Sequence, residues 1–164
     1  MSLSPHAKRF LQRMLHPIWF RVFLLWKLPM AFWAGLRVIS ANTEQAQVSV
    51  HYKRLNQNPF QSTYFAVLAM AGEMATGVLG LLAIENSGLP IAILVVGLEA
   101  EFSKKATDLS TFTCTDGKAF FDAVAETTRT GEAVTLTALS IGRNKNGEEV
   151  ARFRITWSLK KRSR

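Results

Sequence analysis

Phe65-Ala66-Val67-Leu68-Ala69-Met70-Ala71-Gly72-Glu73-Met74-Ala75-Thr76-Gly77-Val78-Leu79-Gly80-Leu81-Leu82-Ala83-Ile84 carries a single charge, Glu73, near its middle. As a helix this run is long enough to cross about 30 Å of hydrocarbon. A carboxylate at mid-bilayer is costly, and the sequence that follows has the alternation of ordinary β structure. The run therefore reads as a central buried helix. Ser62 or Thr63 is expected to cap its start, and Asn86-Ser87-Gly88 to close it. A helix apolar on nearly every face cannot rest on a flat sheet with one side in water, so a sheet must bend around it or a partner must cover it. Ala66, Ala69, Glu73, Thr76, Gly77 and Gly80 recur at three-to-four spacing and place the carboxylate in a stripe of small residues. Such a stripe either leaves room for a ligand or permits tight packing with Glu73 held by partners.

Outward from the helix the pattern is that of strands. Leu36–Ser40 and Ala46–Tyr52 flank a polar turn at Asn42-Thr43-Glu44 and read as a hairpin, followed by a loop at Asn56-Gln57-Asn58-Pro59. Ile91–Ser103 and Ala106–Thr115 read as two long strands joined at Lys104-Lys105. Asp116–Thr130 is open between a short helix and a strand end with a wide turn. Ala133–Ile141 and Glu149–Leu159 are joined through Asn144-Lys145-Asn146-Gly147, whose Asn-Gly pair favours a tight hairpin turn. Ala151, Phe153, Ile155, Trp157 and Leu159 alternate with Arg152, Arg154, Thr156 and Ser158, so one face of the last strand is buried. The expected class is α+β: one long central helix wrapped by a curved antiparallel sheet. A helical lead-in is expected over residues 1–34 and the sheet-bearing domain over 35–164.

The lead-in contains an amphipathic helix from His6 to Leu15, a second piece from Pro17 to about Lys27, and a short turn between Pro29 and Gly35. Arg21, Lys27 and Pro29 divide the apolar stretch Ile18–Leu36 into pieces too short to span a bilayer. Basic residues interleaved with Trp19, Phe20, Trp26 and Trp33 could touch a lipid surface, but packing over a sheet edge is favoured, because burying aromatics stabilises a small domain without a partner. No secretory signal pattern precedes these helices. The formal net charge of +8 concentrates in the first 37 residues and in Lys160, Lys161, Arg162 and Arg164. That field suits nucleic acid, an anionic membrane or a phosphate-rich ligand. No nucleic-acid motif accompanies it, which argues against the first. Cys114 is the sole cysteine and sits in a strand-like setting, so it reads as structural in a reducing cytoplasm. His6, His16 and His51 are scattered without ligand spacing, and no metal site is expected.

Asn58 stands six residues before Tyr64-Phe65 at the helix opening, and Glu73 follows nine after Tyr64. With the later Glu101-Phe102-Ser103-Lys104-Lys105-Ala106, this spacing resembles the hotdog-fold acyl-CoA thioesterase superfamily, particularly the phenylacetate-degradation type and its relatives of unassigned function. The likeness covers about residues 35–160. In that family a His-Gly pair occupies the place of Tyr64-Phe65. Thioester hydrolysis needs a carboxylate to activate water or attack the carbonyl, and a donor for the developing oxyanion. The resemblance implies Glu73 as base or nucleophile, the Phe65 backbone N–H as donor, and Asn58 as the group that orients water or substrate. Apart from the resemblance, Tyr64 offers a hydroxyl donor or a wall for an acyl tunnel, and Thr76 stands beside Glu73 in the small-residue stripe as a substrate-binding candidate. The resemblance also implies that a facing subunit contributes residues near Lys104, Lys105 or Thr107. Coenzyme A then enters as part of an acyl-CoA substrate rather than as a separate cofactor, and the expected assembly is a homodimer or dimer of dimers. The alternative is a non-catalytic acyl-CoA or fatty-acyl binding protein of the same fold.

Overall fold

The computed structural model describes residues 2–162. Three short helices come first, α1 (Pro5–Leu15), α2 (Pro17–Lys27) and α3 (Pro29–Ala34), each opened by a proline whose missing N–H costs nothing in a first turn. Ser4 caps α1 by accepting from the Ala7 N–H at 3.2 Å, and Gly35, at φ 80°, ends α3 in the left-handed region. Then follow β1 (Arg37–Ala41), β2 (Ala46–His51), a 3₁₀ turn at Arg54–Asn56, α4 (Phe65–Ser87), β3 (Ile91–Phe102), β4 (Leu109–Cys114), α5 (Gly117–Thr130), β5 (Val134–Arg143) and β6 (Glu149–Lys161).

All strand pairings are antiparallel, in the order β1-β2-β4-β5-β6-β3, and this six-stranded sheet curves around α4. The apolar run is thus a core helix. It is long and apolar enough to span a membrane, with mean hydropathy 1.9 over its best window, yet 67% of that window is buried within the protein. Close approach to the sheet is what its glycines permit. A Cβ on Gly72 would lie 2.5 Å from the Phe153 ring, and one on Gly80 would lie 2.7 Å from Ile93 Cδ1. Phe112, Phe120 and Phe153 are fully buried around it.

Two local expectations are corrected, the cap of α4 and the β5–β6 turn, and two open points are resolved. Tyr64, in extended backbone, is the N-cap residue of α4 and makes no side-chain cap bond; Thr63 Oγ1 donates instead to the Ala106 carbonyl at 2.9 Å and Ser62 Oγ to Asn58 Oδ1 at 3.3 Å. Neither hydroxyl is free for the helix. The strands either side of Lys104-Lys105 are not neighbours, because β3 pairs with β6 at the sheet edge while β4 lies between β2 and β5. Asp116–Thr130 resolves as helix α5, buried through Phe120, Phe121, Ala123 and Val124. The β5–β6 connection spans Asn144–Glu148 rather than two residues; Asn144 Oδ1 accepts from the N–H groups of Asn146 and Glu148, and Gly147 takes φ 82°.

The lead-in packs, but not with all of its aromatics. Ala7, Met14, Phe20, Leu24, Ala31 and Ala34 join the main core, and the Ser4 N–H donates to Asn86 Oδ1 at the far end of α4. Trp19, Trp26 and Trp33 remain exposed. Cys114 is buried at the end of β4, where burial pushes its thiol up to about 12 and keeps it unreactive.

The Gly72 contact gives a test of the wrapping. Helix propensity favours alanine there by about 1 kcal/mol, but Phe153 is fully buried between Phe102 and Phe112 and cannot swing away. Overpacking of this kind costs about 1–3 kcal/mol. Gly72→Ala is expected to lower the unfolding free energy by up to about 2 kcal/mol in a urea titration, whereas a gain would mean that the helix can draw back from the sheet.

Candidate functional site

The loop before α4 is built on Asn58. Its Oδ1 accepts from the Phe60 N–H at 3.0 Å, the Ser62 N–H at 3.2 Å and the Ser62 hydroxyl at 3.3 Å. These bonds hold a tight turn in which Gln61 sits at φ 58°, a left-handed conformation that a side chain adopts at some cost. The Asn58 amide nitrogen bonds nothing among the described residues and is left for the groove beside it. Lys105 braces the same loop from across the fold, its Nζ donating to the Phe60 carbonyl at 3.0 Å.

Between this loop, the first turns of α4 and the end of β3 lies a groove of about 360 Å³, lined by Asn58, Ser62, Phe65, Leu68, Phe102, Lys104 and Lys105 among others. An aromatic chain runs from it into the core: Phe65 meets Phe102 edge-on at 6.3 Å, and Phe102 meets Phe153 at 5.7 Å. Phe65 is the first helical residue, so its N–H has no intrahelical acceptor and shares in the positive end of the helix dipole. Lys104 pairs with Glu148 at 2.5 Å; both side chains are half exposed, so solvent screens the pair and it adds little to stability.

Four of the seven residues expected at a site, Asn58, Phe65, Lys104 and Lys105, therefore gather on one groove. Three do not line it. Tyr64 is exposed on the outer side, its ring 4.8 Å from that of Phe65. Thr76 is fully buried; its hydroxyl donates to the Glu73 carbonyl at 2.8 Å and accepts from Trp157 Nε1 at 3.0 Å, which places it in the packing of α4 on β6. Glu73 lies eight residues beyond Phe65, about 12 Å along the helix axis at 1.5 Å per residue. Phe102 lines the groove but stands outside the expected set of seven. Its place depends on the β3–β6 register, which sets Phe102 opposite Ala151 and so beside Phe153.

Glu73 is partly buried in the half of the small-residue stripe that the sheet leaves open, with Ala66 and Ala69 also partly accessible, while Thr76, Gly77 and Gly80 are covered. No hydrogen bond or ion pair reaches its carboxylate among the described residues, and burial alone raises its pKa above the ordinary carboxylate value. No group of His, Cys, Asp or Glu suited to a metal occurs among the described residues.

The architecture has close counterparts among solved structures. A protein of unknown function from Chlorobaculum tepidum superposes with a TM-score of 0.77 at 16% identity, covering 98% of this chain and 99% of that one. A candidate thioesterase from Shewanella oneidensis gives 0.74 at 11% identity, over 92% and 97% of the two chains. A thioesterase from Haemophilus influenzae gives 0.63 at 10% identity, over 85% and 88%. This chain has the hotdog fold. No protein-family model matches its sequence, and no curated protein matches it either. At these identities the likeness establishes the hotdog architecture, including a lead-in that the Chlorobaculum protein also spans, and leaves the chemistry to the residues.

Burial of Glu73 on the central helix disfavours its charged form. Because the folded state binds the Glu73 proton more tightly than the unfolded chain, the stability linked to that proton is fully present below the ordinary carboxylate range and is lost as pH rises through the raised value. Glu73→Gln removes that loss. Urea unfolding from pH 4 to pH 8 is expected to show the variant equal to or below wild type at the acid end and above it at neutral pH. A variant less stable at pH 8 would mean that the carboxylate has a stabilising partner.

Proposed function

We propose that this chain is an acyl-CoA thioesterase whose site is shared between two protomers. The observation that carries the reading is Glu73: an unpartnered carboxylate, partly buried, with a raised proton affinity, on the open stripe of the central helix. Perturbed carboxylates so placed are suited to activating water or attacking a thioester carbonyl. Thioesterases among the structural counterparts support the same class of reaction.

Within one chain Glu73 and the Phe65 N–H are too far apart to act on one carbonyl, whose carbon and oxygen must lie about 3 Å from base and donor respectively. A second copy placed across the open stripe supplies the missing half. The sheet offers the means. β3 is an edge strand paired only with β6, and it exposes Leu94, Val96 and Leu98. Long apolar edges of this kind are covered by pairing in natural proteins. A twofold β3–β3 pairing is antiparallel, so it sets the Ile91 end of one strand beside the Phe102 end of the other. That pairing also bears on the basic tail. Lys161 pairs with Ile91, eleven residues and about 36 Å along β3 from Phe102, so Lys160, Lys161 and Arg162 are remote from the groove of their own chain. They approach the groove of the partner, where they would meet the phosphates of coenzyme A. Arg164, the last of the tail cations, lies outside the described residues.

One observation favours the non-catalytic alternative. Phe65 occupies the helix opening with its ring against the groove and 55% exposed, and a thioester must pass that ring to reach the N–H beneath it. Acyl-CoA binding without hydrolysis is the function that such an obstruction would leave.

Release of free thiol from short, medium, long and aromatic acyl-CoAs separates the two. Turnover is expected with at least one class, and Glu73→Gln is expected to lower kcat by about 100-fold or more while acyl-CoA binding is retained. Binding without thiol release across the panel, or full turnover by the variant, would assign the chain to the binding function or move the base elsewhere. Sedimentation velocity is expected to give a dimer at micromolar concentration, and Leu98→Lys, at the exposed edge, is expected to yield monomer and abolish turnover together. A fully active monomer would remove the shared site.

A further inference from the structure

The exposed apolar surface of this protein divides into two regions of different electrostatic character. The β3 edge and the groove mix both signs, with Glu99, Glu101 and Glu148 close to Lys104 and Arg154. The α1–α3 region is uniformly cationic. Residues 1–43 hold Lys8, Arg9, Arg13, Arg21, Lys27 and Arg37 and no Asp or Glu. None of these six enters an ion pair among the described residues. Arg21 instead lies over the Phe32 ring at 4.3 Å, and Lys53, at the foot of α3, has its pKa lowered by burial and then by the charges of Arg21 and Arg37.

Against this charge stands a continuous helix face. Ile18, Trp19, Val22, Leu25 and Trp26 fall within an arc of about 120° on α2, opposite the buried Phe20 and Leu24. Trp26 is 81% exposed and Trp19 61%. Leu28 extends the apolar surface beyond α2, and Met30 and Trp33 of α3 carry it further, Trp33 also 61% exposed. Between α1 and α2 opens a groove of about 780 Å³, with Phe10, Met14, Phe23 and Leu81 among its apolar lining and Arg9 and Arg13 also on its wall. Glu85 is the acid at its far end.

We propose that the face formed by α2 and α3 docks this protein on the surface of an anionic lipid bilayer. Charge complementarity selects the occupant. A second copy of the chain set on this face would bring two sets of unpaired cations together about a twofold axis. A nucleic acid would satisfy the cations, but it would leave Ile18, Val22, Leu25, Leu28 and Met30 in contact with water and phosphate, since bases stack on aromatics and not on aliphatic chains. A bilayer of anionic lipid meets both demands at one boundary: headgroups for the cations, acyl chains for the aliphatics, and the interface between them for amphipathic tryptophan rings. Each cation near such a surface contributes about fivefold in binding, and the contribution is screened by salt. The reading is independent of any chemistry at Glu73.

The test is co-sedimentation of the full-length chain with vesicles of phosphatidylcholine alone or with about one-third phosphatidylglycerol, followed by intrinsic fluorescence. Trp157 is buried, so Trp19, Trp26 and Trp33 dominate any environmental change. The anionic vesicles are expected to bind at least about 100-fold more tightly than the neutral ones at low salt, with a blue shift of tryptophan emission. Trp26→Glu touches no core contact and is expected to weaken binding tenfold or more without change in circular dichroism. Arg13→Gln with Lys27→Gln is expected to weaken it about 25-fold at low salt and hardly at all at 1 M salt. Absence of binding to anionic vesicles would overturn the proposal, as would binding indifferent to Trp26→Glu. Conversion of a dimer to monomer by Trp26→Glu would instead assign the face to a second copy, and retention of duplex DNA or RNA in place of vesicles would assign it to nucleic acid.

Discussion

Removing α4 from water is the constraint on which the rest of this structure depends. Twenty residues of nearly continuous apolar sequence leave the helix little surface suited to solvent, so six strands, α5 and α1 close around most of it. The enclosure demands small residues where the backbone meets the sheet, which is why Gly72 lies under Phe153 and Gly80 under Ile93 and Phe120. Some of the polar groups inside are matched across it, though Ser110 and Ser140 are buried with unpaired hydroxyls. Thr76 and Trp157 answer to each other across the helix–sheet boundary, and Thr63 answers to the Ala106 carbonyl.

The wrapping is incomplete at the N-terminal half of the helix, and the candidate site lies there. The sheet covers Thr76, Gly77 and Gly80, but leaves Ala66, Ala69 and Glu73 partly accessible. A carboxylate in this setting is too buried to be well hydrated, and no cation pairs with it among the described residues. The groove at Phe65 and Phe102 opens at the same end of the helix, one side held by the Asn58 loop and braced by Lys105. The exposure of Glu73 and the position of the groove thus follow from one geometric fact: how far the curved sheet reaches along α4.

Charge follows a separate logic. Residues near the groove pair cations with acids, as Lys104 does with Glu148 and Arg154 with Glu101, so charge at the β3 edge is largely balanced. The lead-in has cations without acids, and exposed tryptophan beside them. Two apolar surfaces on one small protein therefore differ in the partners they can accept.

Much of the architecture is legible in the residues themselves. The unbroken apolar run, the break at Pro17 between the first two short helices, and the alternation from Ala151 to Leu159 are local patterns with direct conformational consequences, and each yields the expected element, whereas the short turn expected from Pro29 is helix α3. Local patterns failed where two distant segments compete for one group. Ser62 and Thr63 have the chemistry of helix caps, yet Asn58 and Ala106 take their hydroxyls first. The sequence around Lys104-Lys105 leaves the partner of β3 open, and the fold pairs it with β6. Asp116–Thr130 declares itself as a helix only through the core that receives Phe120 and Phe121. Residue types and spacing by themselves determined that this protein has one enclosed helix, a curved antiparallel sheet, and Glu73 as the carboxylate nearest the centre of that helix. Only the tertiary structure decided that Asn58, Phe65, Lys104 and Lys105 share a groove, that Thr76 is committed to Trp157, and that three tryptophans face outward, because burial and proximity depend on strand register and long-range packing that no window of sequence contains.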